Sequence, residues 1–185
     1  MSGRETYAPG AAFGAKIHKQ PAQAPDKAAE SWTLVLVREL RHPPAKVWTA
    51  LTDPEHLREW APFDADRNLG TVGAAMLTTV GAPAPLVTES QVKRADPPHL
   101  LEFTWGGFEI RWELEPLAGG GTQLTLWHNI NRRFIAMGAT GWHVCFDVLD
   151  HLLAGQPLGR IVGPSAFKVD GWQRLQAEYA KQLGV

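Results

Sequence analysis

Between Phe108 and Glu115 apolar and polar residues alternate without a break. Phe108, Ile110, Trp112 and Leu114 fall on one face and Glu109, Arg111, Glu113 and Glu115 on the other, the period of an antiparallel strand with one buried and one wet side. The same period places Leu101, Phe103 and Trp105 together in the preceding segment and Leu124, Leu126, His128 and Ile130 together in the following one. Gly106-Gly107, between the first two of these strands, is a two-residue hairpin signal. The segments 71–80 and 85–95 are shorter and alternate in part, and 31–40 is β-branched and apolar, which predicts strands over all three. About six antiparallel strands are expected between residues 66 and 131.

Two interruptions have a helical period. Pro43-Pro44 closes the first strand, because proline removes a ladder donor, and Pro44 then suits a first helical turn. Val47, Ala50 and Leu51 repeat at i, i+3 and i+4. Asp53-Pro54-Glu55 starts a second short helix, with Asp53 as cap, and Leu57 and Trp60 share its apolar face. Further on, Trp142, Cys145, Leu149 and Leu153 give a long helix over 137–155, which Gly155 ends. A last helix is expected over about 166–183, after a loop too rich in Gly and Pro to be helical. Residues 1–30 show no steady period and read as an extended or poorly ordered arm, or one laid across the surface by Tyr7, Phe13 and Ile17. Residues 31–185 read as one domain. A sheet with one polar face needs a cover for the other, and the long helix is the natural cover.

Composition narrows the function classes. The chain has 185 residues, 44% hydrophobic and 20% charged, with a formal net charge of −1. That balance gives no electrostatic reason to expect nucleic acid or an anionic surface as partner. Cys145 is the only cysteine, so no intramolecular disulfide forms. No apolar run approaches the roughly 18 residues of a membrane span, and a cytoplasmic protein is expected. Eight tryptophans are the unusual feature. Each indole buries a large apolar area, either in plain packing or along a ligand cavity.

Few residues suggest chemistry. His143, Asp147 and His151 fall at i, i+4 and i+8 on one stripe of the long helix, a spacing that brings side chains together but falls short of a full metal-ligand set. A solvated flank of the helix accounts for it better, and no metal or cofactor is expected. His128 sits at an inward position between Leu126 and Ile130, where a neutral imidazole could orient a ligand or serve as an acid or base. The alternative is a buried histidine bonded to a backbone carbonyl, or one at the sheet's rim. Cys145 reads as a small core residue.

This order, carried by "PPAKVWTALTDPEHLREW", "VKRADPPHLLEFTW", "GGGTQLTLWHNI" and "GWHVCFDVLDHLLAG", resembles the helix-grip fold of the START-like, or SRPBCC, superfamily. Within it the chain is similar to the branch named for the activator of the ninety-kilodalton heat-shock chaperone's ATPase. The resemblance spans about residues 32–155 and implies an α+β fold, a curved antiparallel sheet wrapped on the long helix and often enclosing an apolar cavity. The two short helices would then form a lid or a seal at one end. The resemblance implies binding of a small hydrophobic or aromatic ligand, with Trp60, Phe63, Met76, Phe103, Trp105, Trp112, His128, Trp142 and Phe146 as its expected contacts. It also suggests a chaperone partner, although the namesake proteins carry a second domain with no counterpart expected here. A cyclase or hydrolase acting in the cavity is the third expectation.

Overall fold

The computed structural model describes residues 7–19 and 31–185. The expected arm therefore lies partly outside the described residues. The strands are β1 (Ala15–Lys19), β2 (Ser31–Leu40), β3 (Phe63–Ala65), β4 (Gly73–Thr79), β5 (Leu86–Asp96), β6 (Leu100–Trp105), β7 (Phe108–Pro116) and β8 (Thr122–Asn131). They form one antiparallel sheet in the order β1-β2-β8-β7-β6-β5-β4-β3. Long-range pairing of β2 with β8 puts Leu34 opposite His128 and Leu36 opposite Leu126. At the expected hairpin Trp105 faces Phe108, and Gly106 and Gly107 take φ of 57° and 84°, a left-handed pair that other residues adopt at a cost.

The helices are α1 (Pro44–Thr52), α2 (Pro54–Trp60), α3 (Ile135–Leu153), α4 (Pro164–Phe167) and α5 (Trp172–Leu183). Asp53 caps α2 as expected, its carboxylate accepting from the Glu55 N–H at 2.9 Å. The chain thus adopts the α+β helix-grip fold, with α3 lying against the inner sheet face. One core joins Leu34, Leu36, Leu101, Ile110, Leu114, Leu124 and Leu126 of the sheet to Ala139, Phe146 and Leu149 of α3. Burying a side chain of this size is worth about 1.5–3 kcal/mol. Buried residues run all around α3, because α5 covers its other side with Leu175, Tyr179 and Leu183.

Two expectations need correction, and one element is new. The single last helix is two, separated at Lys168–Gly171, where Gly171 has φ of 84°. The strand Ala15–Lys19 carries no periodic signal. It forms because the open edge of β2 offers it a ladder of backbone bonds. The stripe of His143 and Asp147 is not a solvated flank. His143 is fully buried, and Asp147 is largely covered by Tyr7, whose hydroxyl donates to its carboxylate at 2.7 Å.

Candidate functional site

Aromatic side chains crowd the inner sheet face. Behind β6 and β7 the rings pack on one another. Trp112 meets Trp60, Trp142 and Phe146 at 6.1, 5.5 and 5.8 Å between ring centres, and Phe63 meets Phe103 at 5.8 Å. Trp60, Phe63, Phe103, Trp112 and Phe146 are each at most 1% exposed. The Trp60 indole N–H is spent on the Ala50 carbonyl at 2.9 Å, which ties α2 to α1 at this end of the core. Met76 is 41% exposed, on the outer face of β4 beside the buried Ala75 and Leu77.

Beside that cluster the packing leaves a cavity of about 260 Å³. Trp105 and His128 form its sheet wall, and Met137, Gly138, Gly141, Trp142 and Cys145 its helix wall. Ile161, Val162, Gly163, Ala166, Phe167 and Trp172 close the far side, and Pro62 touches one edge. Phe167 and Met137, 53% and 37% exposed, stand where the cavity meets solvent.

Of the nine expected contacts, Trp105, His128 and Trp142 line this cavity, five lie in the ring cluster behind it, and Met76 lies apart. Half of the far wall, Ile161, Val162 and Gly163, comes from the Gly- and Pro-rich loop, which has no period to show what it faces, while Ala166 and Phe167 belong to α4 and Trp172 to α5. Contacts distant in sequence hold that loop in place. The Arg160 guanidinium donates to the Leu57 carbonyl at 3.0 Å and pairs with Asp64. Gly163, at φ 56°, sits so near Gly81 that a Cβ there would stand 2.1 Å from the Gly81 carbonyl oxygen. The helix wall did leave a trace in the sequence, since Gly138, Gly141 and Cys145 put small residues on one face of α3.

The polar groups are few. The Trp105 N–H donates to the Thr79 hydroxyl at 2.8 Å and the Trp172 N–H to Gln176 at 3.1 Å. The Trp142 N–H donates to His128 Nδ1 at 3.0 Å. His128 is thus bonded to an indole, not to the backbone carbonyl weighed from sequence, and burial pulls its pKa down to about 4. Burial likewise pushes the Cys145 thiol up to about 12, against the opposing charge of Arg160. Among the described residues no carboxylate, ammonium or guanidinium lines the cavity. Among the described residues no three His, Cys, Asp or Glu side chains gather as a metal site would, and no helix is long and apolar enough to cross a membrane.

Comparison with known proteins places this geometry. The family model described as "Activator of Hsp90 ATPase homolog 1-like protein" matches residues 41–154, well over half of the chain. No curated protein sequence matches. Among solved structures the chain is similar to CalU16 from Micromonospora echinospora, at 20% identity over 91% of this chain and 94% of that one, with a TM-score of 0.62. It is also similar to a protein from Bordetella parapertussis, at 23% identity over 96% and 95% of the two chains, with a TM-score of 0.59. A conserved protein of unknown function from Enterococcus faecalis follows at 16% identity, over 82% and 84%, with a TM-score of 0.61. At these identities the likeness shows the shared fold.

Proposed function

This chain belongs to the Activator of Hsp90 ATPase homolog 1-like family, and from that premise we propose that it binds a small apolar or aromatic molecule in the cavity beside α3. The observation that carries the reading is the cavity itself, apolar-walled and faced by the rings of Trp105, Trp142 and Trp172. Apolar pockets with a few placed polar groups are the usual form of small-molecule sites, and this one falls just below their range of about 300–1,000 Å³, which suits a small ligand. The wall brings no carboxylate or amine to His128, and its thiol is held protonated. Those features support binding over a reaction.

Gly141 supports the same reading. Glycine inside a helix costs about 1 kcal/mol relative to alanine. A Cβ at Gly141 would meet nothing nearer than the Trp172 ring at 3.9 Å, an ordinary contact. Steric exclusion therefore does not explain the glycine; the space in front of it does. Gly141→Leu should fill that space and leave the protein folded.

Native mass spectrometry of freshly purified protein, beside the same sample denatured, tests the proposal. The expected result is an extra mass that leaves on denaturation and is lost in Gly141→Leu. A ligand mass retained in folded Gly141→Leu would place the ligand elsewhere. A bare wild-type protein whose tryptophan fluorescence ignores added aromatic ketones and hydrocarbons would remove the proposal. Stoichiometric recovery of the chaperone from cell extract would add the second role that the family's description suggests.

A further inference from the structure

Resting on the reading of the cavity as a ligand site, we infer that its ligand is a neutral molecule that presents one hydrogen-bond acceptor, such as a ketone, ester, amide or quinone carbonyl, to His128 Nε2–H. The argument begins with the proton count on the imidazole. An indole nitrogen can only donate, so the Trp142 N–H at 3.0 Å requires a lone pair on His128 Nδ1. A neutral imidazole has one N–H, which is then fixed at Nε2.

Aromatic rings pack around the imidazole, which lines the cavity. Trp105 and Trp142 stand 5.8 and 5.9 Å from the imidazole and Phe108 6.2 Å, the last two edge-on. On the sheet His128 pairs with Leu34 and Ile110, neither of which offers a side-chain acceptor. Among the described residues the Trp142 indole is the one hydrogen-bond partner of the imidazole. The three indole donors of the wall are spent on Thr79, His128 and Gln176. The Cys145 thiol is only a weak donor. Among the described residues that line the cavity, His128 is thus the one strong side-chain donor left to a ligand.

That single donor sets the ligand's charge and polarity. A carboxylate would give up water for one neutral N–H with no countercharge in the wall, and buried charges without partners are strongly disfavoured. An ammonium would face a donor. A pure hydrocarbon would displace water from the Nε2–H and leave it without a partner, which is the costly half of a hydrogen bond. A neutral acceptor satisfies the site.

Three probes of nearly equal shape separate these cases: acetophenone, α-methylstyrene and benzoate, titrated at neutral pH into ¹⁵N-labelled protein. The Trp142 indole and His128 ring signals are followed by NMR. Acetophenone should bind about tenfold more tightly than α-methylstyrene, shift the His128 Nε2 signal and displace neither ring from its bond, while benzoate should fail to bind. In His128→Phe the ketone's advantage should vanish while the hydrocarbon still binds. Should that variant fail to fold, the wild-type ratio of ketone to hydrocarbon decides alone. Equal affinities for acetophenone and α-methylstyrene, or tightest binding of benzoate, would overturn this inference and leave the cavity's role standing. Binding of none of the three to the cavity would overturn both.

Discussion

At the scale of single residues, His128 concentrates the consequences of burial. A free imidazole titrates near 6.5, whereas desolvation holds His128 at about 4. As pH falls, the unfolded chain takes up this proton before the folded one does. The stability tied to neutral His128 is therefore whole above about pH 6.5 and is lost between there and about pH 4, at roughly 1.4 kcal/mol per pH unit. Urea unfolding of wild type and His128→Phe at pH 7 and 4.5 should show about 2 kcal/mol more loss in the wild type. Parallel losses would mean that the imidazole is more solvated than its 7% exposure implies. The inward position of His128 was readable from alternation in β8. Its bond to Trp142 was not, because the partner belongs to a different element.

At the scale of elements, the segment before β1 is tied down by polar contacts that no periodicity announces. Phe13 stacks on His143 at 3.7 Å and lies under the Arg38 guanidinium, and its N–H donates to the Tyr179 hydroxyl at 3.1 Å. Tyr179 and His143 are themselves joined at 2.8 Å. The Arg174 guanidinium donates to the Pro9 carbonyl at 2.7 Å. Burial alone would raise the Asp147 carboxyl, but His143, the Tyr7 hydroxyl and Arg38 together hold it below the usual carboxylate range. Its support for the segment is therefore present above about pH 4 and is lost as pH falls further. Tyr7→Phe should speed amide hydrogen exchange over residues 12–19, corresponding to about 1–2 kcal/mol of local opening. Unchanged exchange would show that the Phe13 stack and the β1 ladder hold the segment without Tyr7.

At the scale of the whole molecule, the aromatic residues divide between two tasks. Trp112, 1% exposed and touching three other rings, is a core residue, and Trp112→Ala should cost about 3–5 kcal/mol of unfolding free energy. Phe167, half-exposed at the cavity mouth, is a wall residue. Phe167→Ala should cost under about 1 kcal/mol of stability while weakening any ligand held there several-fold. Thermal unfolding paired with a ligand titration checks both, and equal stability losses would contradict the division.

The sequence by itself determined the kind and order of most elements. Alternation in 100–131 set three strands and their inner faces, Gly106-Gly107 set a hairpin, and Asp53-Pro54 set the start of a helix. These are local facts, since a backbone period decides which side of its own element a side chain occupies. Tertiary structure decided what covers each side. It sank Trp60 and Phe63 into the ring cluster, left Met76 facing outward, buried His143 under Phe13, and brought the aperiodic stretch 161–167 across α3 to enclose the cavity. Coverage depends on contacts between elements far apart in the chain, and no period within one element encodes them.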